Sequence, residues 1–432
     1  MGPNLYILLS LTVVFLFFGM MLFSTSDKNK IFIKYIFLAY PFMDITLIPS
    51  LGYPTIFNFI TILFLLLFYT QKSRHNVNMN LYNLFLIIFI LNILIGVLLS
   101  ENNSNETIAS FLKYISTISL AKIIIDECIF DNLFFYDIIK YIKILLKGSL
   151  IFILFQFIFG PTFSFEKILN DNIFDGPLIR YPGYFQDPQR FAQLLSAGFF
   201  VSLIPSNDSQ SLKKTDYILS ICILITLLFT GSRAALLGLT IGAISIVLLG
   251  KPQFRFALLI IIVCLYFIIP LFSDKIPLFN RDSTYSESSA FRFLIWEDAF
   301  NIANSHPFFG IGIGNYANYV SVHNPDQFWV NSNEITIYDH PESGYLKFLT
   351  EFGYLGFISF FMIALLPIWD GIKHYFIHYN SVSLLLIASI ISWLFGFATV
   401  YSFADDKIVI IISSIITLLF IFPKLKLLLN EN

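Results

Sequence analysis

Apolar runs long enough to cross a lipid bilayer recur from one end of this 432-residue chain to the other. A hydrocarbon core about 30 Å thick takes roughly 20 apolar residues as a helix, and within lipid every backbone amide must find its partner inside the protein. Runs that meet this condition lie near 4–24, 31–49, 54–70, 81–100, 107–125, 148–166, 191–205, 217–231, 233–249, 256–273, 345–368, 381–400 and 407–422. They give thirteen spans, or twelve if one short run is re-entrant. Composition agrees. The chain is 57% hydrophobic and 12% charged, with a mean hydropathy of +0.77, whereas soluble domains carry roughly 25% charged residues. The expected fold class is an all-α integral membrane protein of 12–13 transmembrane helices.

Several function classes fall away at once. A net charge of −2 with no basic tail leaves nothing to neutralise phosphates along a nucleic acid, so no nucleic-acid partner is expected. Cys128, Cys222 and Cys264 have neither paired nor metal-ligand spacing and read as small apolar residues, without disulfides or zinc. The first run, Leu5 to Phe23, lacks a basic leader and a small-residue cleavage site and reads as a retained span. No internal repeat is evident, which weakens an inverted-repeat transporter.

Basic residues orient the chain. Lys28, Lys30, Lys72, Arg74, Lys140, Lys143, Lys147, Lys213, Lys214, Lys251, Arg255, Lys373, Lys424 and Lys426 fall on one side, assigned to the cytoplasm. The outer side receives ENNSNE, residues 161–190, the TGSR turn and everything from Asp274 to Glu342. Three parts follow: N-terminal spans over 1–273, an outer loop over 274–342 and C-terminal spans over 343–432. Within the loop, SSAFRFLIWEDAFNIANS puts Phe293, Trp296, Phe300 and Ala303 at helical spacing behind serines able to cap a helix, as in a helix lying on the membrane surface. The following HPFFGIGIGNY has no strand before it and no ribose-binding acid after it. It reads as an irregular turn and not as a dinucleotide motif.

The outer side collects basic groups where the charge rule disfavours them: Arg180 and Arg190 in RYPGYFQDPQRFA, Arg233 in TGSRAALLG, and Arg281 and Arg292 in the loop, with Lys167 and Lys275. Each has an ordinary reading. Arg190 can pair with Asp187, Arg233 can snorkel from a span end, Arg292 can pair with Glu297 or Asp298, and Lys347 and Glu351 can neutralise each other at i,i+4. His306 before Pro307 reads as a turn residue. Together, several guanidinium groups on one face suit a phosphate ligand, which arginine holds in a bidentate manner without losing its charge. An anionic, partly lipidic molecule at the outer leaflet meets these demands, and a polyprenyl pyrophosphate carrying a glycan is one. Tyr181, Tyr184, Tyr285, Trp296, Tyr316, Tyr319, Trp329 and Tyr338 suit stacking on sugars, or an interfacial aromatic belt.

Four stretches in order, RYPGYFQDPQRFA (180–192), TGSRAALLG (230–238), RFLIWEDAFNIANSHPFFGIGIGNY (292–316) and HPESGYLKFLTEFGYLGF (340–357), resemble the bacterial O-antigen ligase and O-antigen or capsule polymerase family, membrane glycosyltransferases of C-type-like architecture. The resemblance covers the C-terminal three-fifths of the chain. It implies transfer of a glycan from undecaprenyl pyrophosphate to a hydroxyl at the periplasmic face, with neither metal nor cofactor. It suggests Arg180, Arg233 and Arg292 as pyrophosphate or glycan contacts, and the loop as a lid. Arg190, Arg281 and Tyr345 complete the expected binding set, and His340, Glu342 or Asp187 supplies the base. Ligases usually carry a histidine at a fixed distance before an E-x-G pair, here Glu351 and Gly353. That distance falls on Glu342, with His340 two residues earlier, which favours a polymerase of lipid-linked repeat units over a ligase acting on lipid A–core. Membrane lipids, a chain-length regulator and a repeat-unit flippase are the expected partners. A flippase or transporter of lipid-linked sugars is the rival from another class, and a membrane scaffold the third.

Overall fold

A computed structural model of the chain describes residues 3–47, 54–71, 80–100, 105–165, 173–175, 178–207, 212–250, 285–323, 329–331, 334–336 and 340–430. These residues form α1 (Pro3–Phe23), α2 (Lys28–Leu38), α3 (Ile56–Leu67), α4 (Asn80–Leu99), α5 (Asn105–Phe130), α6 (Phe134–Phe159), α7 (Pro188–Ser202), α8 (Lys214–Phe229), α9 (Arg233–Leu249), α10 (Tyr285–Ser305), α11 (Tyr316–His323), α12 (Gly344–His378), α13 (Ser381–Phe397) and α14 (Asp406–Asn430). Two short antiparallel hairpins, β1 (Phe174–Asp175) with β2 (Leu178–Ile179) and β3 (Trp329–Asn331) with β4 (Glu334–Thr336), are the strands among them. The chain is an all-α membrane protein. Among the described residues, α4, α5, α6, α12 and α14 are long and apolar enough to cross a membrane, and Leu8–Phe23 of α1, with α3, α9 and α13, are shorter apolar stretches.

Helix α14 is the axis of the bundle. Its run IVIIISSIITLLFIF is apolar on every side, which marks a helix surrounded by others, and 83% of its most apolar window is buried. It packs on α5, α12 and α13. Helix α7 is also internal: twelve of its fifteen residues are buried, and Gln193 and Ser196 bond to nearby backbone carbonyls. Asp187 starts it by accepting the Gln189 amide at 2.8 Å, directly before Pro188.

Twelve of the thirteen expected spans coincide at least in part with described helices, and 256–273 lies outside the described residues. The largest boundary error is α6, which begins at Phe134, fourteen residues before the apolar run at 148. Lys140, Lys143 and Lys147 hide its first half from a hydropathy reading. Lys143 is nevertheless buried, because it pairs with Asp216 of α8 at 3.0 Å. Helix α12 runs on to His378 through Pro367 and breaks at Gly353 (φ +64°). Helix α10 begins at Tyr285, so Ser288 and Ser289, expected ahead of the helix as caps, lie within it. Its buried stripe is Ile295, Ala299, Ile302 and Ala303, while Phe293 and Phe300 face outward. Ala299 and Ala303 pack there against Leu346 and Leu349 of α12.

Helices α9 and α13 share the most extensive helix pairing. Gly238 and Gly242, four residues apart, let the backbones touch: a Cβ on Gly238 would strike the Ser392 carbonyl, and one on Gly242 would sit 2.7 Å from the Ala388 carbonyl. This is the small-residue spacing that membrane helices use for close approach. Gly242→Leu is expected to destabilise the protein by about 1–3 kcal/mol through overpacking, lowering the thermal unfolding midpoint in detergent. Thr240→Leu, at an exposed position on the same helix, should leave the midpoint unchanged.

Candidate active site

The loop 180–187 is held from all sides. The Arg180 amide donates to Ile173 O (2.9 Å) and the Tyr181 amide to Phe229 O (3.2 Å). Gln156 brackets Gly183, accepting its N–H at 2.9 Å and donating to its carbonyl at 2.6 Å. The Arg180 side chain is buried at 5% exposure, and its Nε donates to Thr230 O at 3.0 Å. It lies across Gly231 (φ +65°), where a Cβ would sit 3.3 Å from Nε. The turn Thr230–Arg233 therefore needs glycine both for its left-handed backbone and for the guanidinium on top of it. Burial draws the Arg180 pKa down and the Asp187 charge opposes it; guanidinium keeps its proton regardless. Arg233 is the first residue of α9, after the Ser232 cap. Arg190 is in the first turn of α7 and half-buried.

A second group forms at the start of α12. Arg292 Nη2 of α10 lies 3.6 Å from Glu342 Oε2, and His340 Nε2 lies 3.8 Å from Glu342 Oε1. Arg292 thus reaches across to α12, and neither Glu297 nor Asp298 is needed to account for it. Glu342 has φ +50°, a conformation that costs a non-glycine residue about 1–3 kcal/mol. The Ser343 cap follows directly and starts the helix. The ring of Tyr401 is 6.2 Å from His340 and 4.9 Å from Lys347 Nζ.

The GIGIG turn braces this end. Gly310, Gly312 and Gly314 all have positive φ, and each meets a different helix: Gly310 the backbone of Thr350 and Glu351 in α12, Gly312 that of Gly96 and Ser100 in α4 and at its end, Gly314 that of Glu106 in α5. The Ile311 amide donates to Thr350 O (3.0 Å) and the Tyr354 amide to Pro307 O (2.7 Å), filling the break at Gly353. Glu351 pairs with Lys347 at 3.4 Å, as the i,i+4 spacing predicts, and accepts the Tyr316 amide at the head of α11. The E-x-G pair is thus a structural joint.

Both groups gather about the end of α13. Gln193 of α7 donates to Gly396 O (2.8 Å), Gly238 of α9 packs on Ser392, Gly344 packs on Phe397, and the Tyr345 hydroxyl donates to Leu394 O. Tyr345, expected in the substrate-binding set, is therefore anchored into the bundle by its hydroxyl. Tyr184 and Tyr316, expected as belt or sugar-stacking residues, are core residues at 2% and 0% exposure. Arg281, Lys167, Lys275 and Tyr338 lie outside the described residues.

Residues 218–361, one third of the chain, match the family described as O-antigen ligase. That stretch is similar to an O-antigen ligase family domain. It runs from α8 into α12 and takes in the TGSR turn, Arg292, the GIGIG turn and HPESGYLKFLTEFG, while Arg180 lies outside it. No curated protein matches the chain. The family carries ligase- or polymerase-like glycan transfer, which supports an enzyme with a lipid-linked glycan substrate in a membrane setting.

Beside the family domain lies a buried charged network that sequence reasoning missed. Lys407 Nζ donates to Tyr184 O at 3.1 Å and is 3.9 Å from Asp405. Lys113 of α5 donates to Ala404 O (2.6 Å) and sits 3.6 Å from Asp406, which also accepts from Thr55 and donates its amide to Asp44. Asp405, Asp406 and Lys407 are wholly buried. The segment 401–407 touches His340 through Tyr401 and the Arg180 loop through Lys407. Six residues extend at most about 20 Å, so the network ties the two halves of the candidate site together. The signal was present as ADDK opening the last apolar run, four residues that break an otherwise uncharged stretch.

Proposed function

We propose that the chain polymerises undecaprenyl-pyrophosphate-linked oligosaccharide repeat units into O-antigen or capsular polysaccharide, in the bacterial inner membrane with its site facing the periplasm. The supporting observation is the chain of contacts Arg292–Glu342–His340 at the head of α12, with a glutamate in the place where ligases of the family carry histidine. The acceptor hydroxyl of one lipid-linked unit attacks the anomeric carbon of the growing glycan on another. The new C–O bond forms as the bond to pyrophosphate breaks, the proton passes to the ring nitrogen of His340 that does not face Glu342, and the electron pair leaves on the pyrophosphate. Glu342 aims the imidazole and is itself held by Arg292. Arg233 and the helix N-terminus behind it suit the departing charge, with Arg180 fixing the turn that carries them and Arg190 nearby on α7. Asp187 acts as the helix cap and is not needed as a base. Spans over 1–273 and 343–432 would frame an outer segment over 274–342. A repeat-unit flippase would supply the substrate, and a chain-length regulator would limit the product.

Glycan analysis of a deletion strain tests this. Lipid A–core carrying a single repeat unit, or capsule reduced to single units, is the expected result. Complete loss of glycan from lipid A–core with polymer still on its carrier lipid would assign the ligase instead.

A further inference from the structure

A cavity of about 440 Å³ lies between α4, α5, α12 and α14, away from the candidate site. Its wall on α5 is one helical face, Tyr114, Ile118, Ala121, Ile125 and Ile129, and Leu86 and Phe360 line the opposite sides. The end nearest the site is closed by aromatic packing. Tyr114 and Phe403, at 4% and 5% exposure, pack on Phe348, and the Tyr114 and Tyr401 hydroxyls meet at 3.5 Å. A chain entering from the arginine side is stopped there. The opposite end is polar. Lys122, with its side chain 56% exposed, pairs with Asp126, whose second oxygen accepts the Tyr69 hydroxyl at 2.8 Å, and Gln71 and Asn83 stand beside them. From Lys122 to Tyr114 is eight residues, about 12 Å of helix rise. That fits within the roughly 15 Å half of a 30 Å hydrocarbon core.

We infer that this crevice binds one glycerophospholipid from the leaflet opposite the candidate site. One acyl chain runs along α5 up to Tyr114 and Phe403. The phosphate sits at Lys122, whose ammonium has three donors, of which Asp126 takes one. Between its two ends the wall is mainly apolar, with Thr117, Ser413 and Thr417 as its polar members, and an acyl chain fills it with the gain of buried methylenes. A polyprenyl donor with its pyrophosphate at the arginines would have to pass the aromatic closure. The binding is independent of glycan transfer, so its failure and the failure of the polymerase reading are read separately.

The test is native mass spectrometry of the full-length protein, stripped of lipid in detergent and then exposed to mixed micelles of phosphatidylethanolamine and phosphatidylglycerol. Wild type should hold one phospholipid per chain. Ala121→Trp and Thr117→Phe, which fill the crevice from α5, should each hold less than a tenth as much at unchanged thermal midpoint. Lys122→Ala should hold several-fold less. An empty wild type, equal occupancy in both filled variants, or a polyprenyl phosphate as the molecule retained on purification would overturn the assignment.

Discussion

His340→Ala is expected to lower polymerisation turnover by about 10²–10⁴-fold, the usual contribution of a positioned general base, while the protein inserts and folds as wild type. The measurement is polymer formed by purified protein from lipid-linked repeat units. Glu342→Gln keeps a polar group against His340 and removes the charge that meets Arg292, so a loss of about tenfold or less is expected. Glu342→Gly separates backbone from side chain. It relieves the φ +50° strain and should raise the unfolding midpoint, yet lower kcat as His340 loses the carboxylate 3.8 Å away. Full turnover in His340→Ala with a dead Glu342→Gln would make the glutamate the base.

The second large effect is expected at the TGSR turn. Arg233→Ala should cost about 2.7–4 kcal/mol of transition-state stabilisation, by analogy with an oxyanion-hole donor. Arg180→Ala should lose activity and stability together, since it removes the Nε donor to Thr230 O and leaves a void above Gly231. Arg233→Lys should recover only part of the rate, because an ammonium lacks the bidentate fork. Equal activity in Arg233→Ala and wild type would remove the turn from the chemistry.

The same residues divide what was legible in the sequence from what was not. Hydropathy placed α9 at its observed bounds, because an isolated apolar run between Arg233 and Gly250 has one way to satisfy its backbone in lipid. The 3.6-residue period gave the Lys347–Glu351 pair, and the alternating glycines gave an irregular turn, though not the three helices it binds. Of the apolar stripe that periodicity picks out along α10, Ala303 is buried while Phe293 and Phe300 are exposed. Ala299 and Ala303 are buried by packing against Leu346 and Leu349 of another helix, a contact that no pattern within α10 contains.

Local pattern thus determined the class of the protein, most of its helices and the arginine-bearing stretches at one end. The tertiary fold decided which charges are buried, and with what partner. Lys143 falls among the cytoplasmic charges in a linear sequence and Lys407 at the head of an apolar run, yet each is buried against a residue far along the chain, Asp216 for one and the Tyr184 carbonyl for the other. A buried charge is tolerable only when paired, and in these cases the partner is set by which helix ends meet in space, which spacing along a single chain does not encode.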